Sequence, residues 1–302
     1  MKVVIIGCGN VGMSYAYSLV NQASRVDDLV LIDINKEKAQ GEAEDLNHAL
    51  PYSPTKMQIR AGDYNDCNDA KIICICAGQN QEVGETRLDL INKNFIVFKS
   101  IIQNVKRTNF NGVYIIATNP VDVMSYVTYK LTGNAKKVIG SGTTLDTSRL
   151  KYMLGTKLKI NPKSVHAYVV GEHGDSEMIP WSKASIGMKS INEYITKQEK
   201  IDLANKVKTS AYEIIKKKGN TSFGIGVCLL TITNSILDND NSILTLSTYN
   251  PKFDVFISSP IIVGQQGVRQ VFDMDLTEEE DKLYENSAKT IKKAIDTLKF
   301  DN

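Results

Sequence analysis

Val3–Gly12 reads VVIIGCGNVG: an apolar run, then Gly7, Gly9 and Gly12 in G-x-G-x-x-G spacing at the head of a helical pattern. A tight turn out of a strand needs the first glycine, close approach of a phosphate to the backbone needs the second, and helix-on-strand packing favours the third. The helix start offers free N–H groups and the positive end of its dipole to a pyrophosphate. A glycine-rich turn alone is weak. Asp33 strengthens it, because it closes a second apolar run, LVLIDI, 21 residues beyond Gly12. A carboxylate there can accept hydrogen bonds from both ribose hydroxyls and repel a 2′-phosphate, which selects NAD over NADP.

Outward from this fingerprint the first half alternates apolar runs with helical spacing. KVVIIG, DLVLIDI, MQIRAG, KIICICAG, GVYIIATN and KVIGSG predict six strands, with helices over Gly12–Asn21 and Leu88–Arg107 among the connections. Such βαβ order implies a parallel sheet, whose central strands are buried on both faces and so read as continuous rather than alternating hydrophobicity. From about Thr144 the texture changes. A Leu- and Tyr-rich helix, the stretch VHAYVVGEHGDS, a long helix near Asp202–Lys218 and the runs SILTLSTY and DVFISSPIIVGQQGV suggest an antiparallel sheet with helices. Thr277 and Glu280 have capping-box spacing before a last helix whose buried face would be Tyr284, Ala288, Ile291, Ile295 and Leu298. The expected fold is α/β: a doubly wound parallel sheet over residues 1–143, joined by a packed border to a mixed α+β domain over residues 144–302.

With 36 basic and 34 acidic side chains there is no net field to draw in nucleic acid or an anionic membrane, so a small anionic ligand must be held by local charges. Cys8, Cys67, Cys74, Cys76 and Cys228 have no paired metal-ligand spacing and read as reduced thiols. Cys74 and Cys76, two apart on a strand, point the same way and fill core. No metal is expected. The first ten residues are too short an apolar run for a signal peptide or membrane span, which predicts a soluble, cytoplasmic protein.

An NAD-dependent carbonyl reductase needs a proton donor, a charge to polarise the carbonyl and an anchor for the substrate. The chain has three histidines, His48, His166 and His173. His173 lies in GEHGDSE, a polar turn between Gly171 and Gly174, where it is either a solvated side chain or a functional one. SGTTLDTSRL supplies Asp146 and Arg149, which share a helix face at i, i+3. They form either a plain ion pair or a working set in which Asp146 orients His173 while Arg149 grips a substrate carboxylate in a bidentate fork. Spacing does not choose among Asp146, Glu172 and Asp175 as the partner of His173.

GCGNVG, LIDI, AGQNQEVGETRLDL, ATNPVD, GSGTTLDTSRL, GEHGDSE and KKGNTSFGIG occur in the order found in the lactate and malate dehydrogenase family. The chain resembles that family from end to end, and within it the bacterial NAD-dependent L-lactate dehydrogenases. The resemblance implies a Rossmann cofactor domain, a catalytic domain, a homotetramer, and a glycolytic, fermentative role. It implies that His173 donates and accepts the proton, Asp146 orients it, Arg149 binds the substrate carboxylate, and Arg87 polarises the ketone when its loop closes. Asn119 would hydrogen-bond near the nicotinamide and substrate oxygen, and Ile225 would pack on one nicotinamide face. Val11 and Gly78 would join the cofactor contacts. In GQNQEVGETR, Gly78 and Gly84 would let the loop bend.

The same resemblance carries specificity. Gln81 stands where malate dehydrogenases carry arginine, and a neutral amide leaves the distal carboxylate of oxaloacetate unpaired, which is costly; pyruvate has a methyl there. Thr221 matches a position that narrows the pocket. Glu82 and Val83 depart from the Lys-Pro common in bacterial relatives. Lys151 and His166 fall on positions that in many bacterial relatives bind fructose 1,6-bisphosphate. Lys151 replaces an arginine and lacks its fork, so a solvated Lys151 and a structural His166 stand beside the effector reading. His48, on a helix resembling a subunit-contact helix, is assigned no chemistry. No extended arm precedes KVVIIG, so assembly would rely on other interfaces. Malate or other 2-hydroxy acid dehydrogenases are the nearest alternative. NAD-dependent glycosidases would need a Cys/His metal site that the cysteine spacing does not offer, and a purely binding role is disfavoured by His173, Asp146, Arg149 and Arg87 together.

Overall fold

The computed structural model describes residues 1–22, 24–79 and 87–300, with the side chain of Arg87 excepted. Its first half is a regular alternation: β1 (Lys2–Ile6), α1 (Asn10–Asn21), β2 (Asp28–Ile32), α2 (Lys36–Ala49), β3 (Gln58–Ala61), β4 (Ile72–Ile75), α3 (Arg87–Val105), β5 (Val113–Ile116), α4 (Val121–Thr132) and β6 (Val138–Gly140). The six strands are parallel in the order β3-β2-β1-β4-β5-β6. The chain therefore starts in the middle of the sheet and winds outward both ways, leaving a crevice at the carboxyl ends of β1 and β4, where dinucleotides bind in such sheets.

Alternation of side chains explains the continuous hydrophobicity of these strands. In β1, Val4 and Ile6 enter one core with Phe98 of α3 and Met124 of α4. Val3 and Ile5 enter the opposite core with Tyr15 and Leu19 of α1. Both faces are covered, so both residue sets must be apolar.

Beyond β6 come α5 (Thr144–Leu158), the short strands β7 (Val165–His166), β8 (Ser185–Ile186) and β9 (Lys189–Ser190), α6 (Lys197–Lys218), α7 (Phe223–Asp238), β10 (Ile243–Asn250), β11 (Val255–Gly264), β12 (Gly267–Val271) and α8 (Glu278–Ile295). The antiparallel strands expected in this half form, but not as a separate sheet. β10 pairs with β6 through Ser247 opposite Gly140, and the sheet runs on through β11 and β12 to nine strands. Gly140 permits this contact: a Cβ there would lie 2.8 Å from Ser247 Cβ and 2.5 Å from Ser125 Oγ.

Two helices differ from the sequence expectation. α6 begins at Lys197, five residues before Asp202, where Thr196 and Glu199 form a reciprocal capping box. α7 was not singled out by periodicity, because Cys228, Leu229, Leu230, Ile232 and Ile236 bury more than one stripe, and a helix apolar nearly all round has no clear amphipathic signal. It packs beside α1, with Tyr15 Oη and Thr233 Oγ1 2.5 Å apart. The Thr277–Glu280 capping box and the buried face of α8 are present as expected, with Leu298 buried just past its end.

Candidate active site

The fingerprint turn is set by sterics. Gly7 has φ +105°, and a Cβ on it would come within 2.6 Å of Ala77 Cα, so only glycine fits where β1 passes the end of β4. Gly12, the third residue of α1, lies directly against the Gly7 carbonyl, and a Cβ there would collide with that oxygen. Gly9, by contrast, has nothing within 4 Å of a built Cβ, and it caps α1 without a side-chain hydrogen bond. The helix therefore presents its first N–H groups to open space, a fit for a pyrophosphate. Asp33 accepts from Cys8 N at 2.7 Å and Asn35 N at 2.9 Å, which ties the carboxylate at the end of β2 to the glycine turn. Gly7, Gly9, Gly12 and Asp33 thus form one edge, and these residues fit NAD.

That edge opens, through Val11, into a cleft of about 530 Å³ that also contains Gly78, Asn119, Asp146, Arg149, His173, Thr221 and Ile225. Residues from five segments are brought together by the sheet. Gly78 follows β4. Asn119 follows β5, and its bond to Pro120, which caps α4, is cis. Asp146 and Arg149 sit on α5, and Thr221 and Ile225 flank the start of α7. One wall is a stripe of α6, Lys208, Ala211, Tyr212 and Ile215, at helical spacing.

At the centre, Asp146 accepts from His173 Nδ1 at 2.6 Å through one oxygen and from Arg149 Nη1 at 2.7 Å through the other. The side chain of Asp146 is 3% exposed, that of Arg149 11% and that of His173 25%. Of the three acids that spacing left open, Asp146 is therefore the partner of His173. Glu172 turns to Ser176, while Asp175 lies out in solvent near Tyr212.

Charge follows this geometry. Burial alone would lower the His173 pKa, but the Asp146 carboxylate, its hydrogen bond, and the carboxylates of Asp122 and Glu177 outweigh it and raise the value to about 9. Burial opposes ionisation of Asp146 too, yet His173 and Arg149 hold its pKa below the usual carboxylate range. The pair rests as imidazolium and carboxylate, with Nδ1 engaged by Asp146 and His173 lining the cleft.

Four residues that sequence reasoning did not single out support the site. Asp122 is buried and accepts from the His173 backbone N–H at 2.8 Å and from Ser247 Oγ at 2.5 Å, fixing the His173 turn to α4 and β10. Its pKa is pushed up to about 6, by burial against those hydrogen bonds. Asn94, buried in α3, accepts from Gln79 N and donates to the Asn119 carbonyl, so it spaces the ends of β4 and β5. Glu177 is 5% exposed and lines the cleft; burial, then the charge of Asp146, push its pKa up to about 8 despite His173, Lys208 and Arg149. Cys76 also lines the cleft. Asp122 and Glu177 were within the quoted motifs ATNPVD and GEHGDSE, four residues past His173 in the second case, but spacing says nothing of where they point.

Lys151 and His166 do not line the cleft. Lys151 is half-buried on α5 with Nζ 5.3 Å from the centre of the Tyr168 ring, and burial lowers its pKa. His166 is exposed in β7, and His48 is exposed at the end of α2. Gln81, Glu82, Val83 and Gly84 lie outside the described residues, as does the Arg87 side chain; the backbone of Arg87 begins α3.

Comparison with known proteins agrees along the whole chain. Residues 1–140 match the lactate/malate dehydrogenase NAD-binding domain and residues 143–300 the lactate/malate dehydrogenase alpha/beta C-terminal domain. An L-lactate dehydrogenase of Halalkalibacterium halodurans is 46% identical, with 96% of this chain and 95% of that protein covered. L-lactate dehydrogenase 2 of Bacillus cereus is 45% identical, with 97% of each covered. The crystal structure of minor L-lactate dehydrogenase from Enterococcus mundtii, in the ligands-bound form, superposes with a TM-score of 0.95 at 40% identity over 99% of both chains. A lactate dehydrogenase from a deep-sea metagenome library gives 0.95 at 44% identity over 98% of both. With both family domains matched end to end and relatives 45–46% identical over nearly the whole chain, this chain belongs to the lactate/malate dehydrogenase family.

Proposed function

We propose that the chain is an NAD-dependent L-lactate dehydrogenase that interconverts pyruvate and L-lactate. The observation that carries this reading is the buried Asp146 shared by His173 and Arg149 at the mouth of a dinucleotide cleft. Gly7, Gly9, Val11, Gly12, Asp33, Gly78, Asn119 and Ile225 hold the cofactor, which when bound supplies or takes up the hydride. Arg149 binds the substrate carboxylate and so turns the ketone oxygen toward His173. His173 gives its Nε2 proton to that oxygen during reduction and takes it back during lactate oxidation. Asp146 keeps Nδ1 protonated and the ring fixed, and Asn119 bonds the substrate oxygen. Arg87 polarises the ketone as its loop closes and water leaves, where a positive charge is worth more than in bulk solvent.

Gln81 and Thr221 restrict the pocket to pyruvate. With NADH and equal concentrations of pyruvate, oxaloacetate and a bulkier 2-oxo acid, initial rates should be highest with pyruvate; equal or faster reduction of oxaloacetate sinks the Gln81 assignment.

The His173 value sets a pH dependence. Reduction needs the imidazolium, so kcat/KM for pyruvate should hold from neutral pH and fall as pH rises through about 9. Lactate oxidation needs the neutral ring and should rise over the same interval. Profiles of kcat/KM in both directions check this, and parallel profiles contradict it.

The proposal extends to a division into a cofactor domain (1–143) and a catalytic domain (144–302), to a homotetramer, and to a cytoplasmic, glycolytic setting. No helix among the described residues is long and apolar enough to cross a membrane. Lys151 and His166 are assigned to fructose 1,6-bisphosphate as effector, supported by their position outside the cleft and by the exposure of His166. If half-saturation by pyruvate is the same with and without the bisphosphate, that assignment fails.

A further inference from the structure

Cys74 is the third residue of β4 and Cys76 the first beyond Ile75, the last residue of that strand, so their side chains share a face of the sheet. Their sulfurs lie 3.7 Å apart. Cys74 is fully buried, whereas Cys76 is half-buried and lines the cofactor cleft. The pair is thus a dithiol with one sulfur behind and one at the opening.

A direct disulfide requires sulfurs about 2.05 Å apart, far closer than adjacent same-face positions on a strand hold them. A single bridging atom suits them better: two bonds of about 2.3 Å to sulfur, at angles of roughly 95–110°, span about 3.4–3.8 Å. Zinc would need further protein ligands. Among the described residues, the group of three His, Cys, Asp or Glu side chains close enough to share an ion is Asp146, His173 and Glu177, which contains neither cysteine. Trivalent arsenic is satisfied by two thiols and its own third substituent.

We propose that Cys74 and Cys76 form a dithiol capture site for trivalent arsenicals in the wall of the cofactor cleft. With an organoarsenic oxide, two As–S bonds form and the As=O bond is lost. Both thiol protons leave with that oxygen as one water, and arsenic remains trivalent, so no oxidant or reductant is consumed. Cys76 reacts first, from the cleft, and Cys74 closes the ring. Burial pushes the Cys8, Cys67 and Cys228 thiols to about 12 and raises Cys74 as well, but Cys74 has the half-buried Cys76 sulfur 3.7 Å away to bring the arsenic to it.

The adduct lies against the cofactor fingerprint. Cys76 N and Ala77 N both donate to the Ile6 carbonyl at 2.8 Å, and a Cβ on Gly7 would come within 2.8 Å of the Cys76 carbonyl carbon. Cys76 lines the cleft together with Val11 and Gly78, so bulk added to its sulfur intrudes on the proposed cofactor site. This consequence for the cofactor rests on the proposed NAD site; the dithiol chemistry does not.

The test treats the purified protein with one equivalent of phenylarsine oxide and reads intact mass, NADH binding by fluorescence, and pyruvate reduction. One adduct per chain with loss of one water is expected, stable to excess glutathione, removed by dithiothreitol, slowed by saturating NADH, and lowering activity at least tenfold. Cys74→Val, an apolar swap of similar size in the core, should keep basal activity and carry only an adduct that glutathione strips. Cys76→Ser, judged by mass alone, should carry no stable adduct. A glutathione-resistant adduct on Cys74→Val, or peptides that place it on Cys8, Cys67 or Cys228, overturns the proposal. A stable adduct on the pair with NADH binding unchanged upholds the dithiol site and refutes the cofactor placement.

Discussion

Replacing His173 by Asn should lower kcat for pyruvate reduction by about 10²–10⁴-fold, the usual worth of a positioned general acid. The substitution removes the proton on Nε2 and one hydrogen bond to Asp146, and leaves Arg149 on the other oxygen of that carboxylate. The backbone N–H of residue 173 still reaches Asp122, so the turn should keep its place. NADH binding, measured by fluorescence, should be unchanged, because the hydrogen bond lost runs to Asp146 and not to the fingerprint turn. A His173→Asn variant with near-normal turnover would remove His173 from the chemistry. The pH profiles should change with it: the titration near 9 should vanish, and the buried Glu177 carboxyl, without the imidazolium that lowers it, should titrate higher than in the parent protein.

Arg149→Leu should act on a different quantity. An Arg–carboxylate fork is charge-assisted and two-pronged, and breaking a buried pair costs about 3–5 kcal/mol. The expected loss is therefore roughly 10²–10⁴-fold in kcat/KM, carried mainly by KM for pyruvate. The same change strips Asp146 of one of its two cationic partners, so a smaller fall in kcat should accompany it. Arg87→Gln, by contrast, should depress kcat more than KM, since a charge that polarises the ketone acts in the transition state. If the two variants showed the same pattern, their separate roles in anchoring and polarising would be wrong.

Much of this protein is local and so legible in its sequence. Gly7 and Gly12 declare a turn because a Cβ is excluded at both, Gly9 leaves open space at the helix start, and Asp33 follows where the next strand ends. The central parallel strands stand out because burial on both faces removes polar residues from them, whereas the edge strand β3 keeps Gln58 and Arg60. The capping box at Thr277 and Glu280 is a contact between residues three apart. The equivalent box at Thr196 and Glu199 was equally available, and it sets where α6 begins. α7 was harder, because deep burial erases the helical stripe that periodicity detects.

What the sequence determined by itself are interactions spanning a few residues: the cofactor turn, the strand and helix pattern, the share of a helix face between Asp146 and Arg149, and the motif order that marks the family. Tertiary structure alone decided between Asp146, Glu172 and Asp175 for His173, joined β10 to β6 across more than a hundred residues, and turned Asp122, Glu177 and Asn94 into the site. It also changed Cys74 and Cys76 from two core fillers into a pair with one sulfur open to the cleft. The physical reason is the same in each case. Spacing along a chain fixes which way neighbouring side chains point, but partner, burial and charge state depend on what another segment brings within a few ångströms.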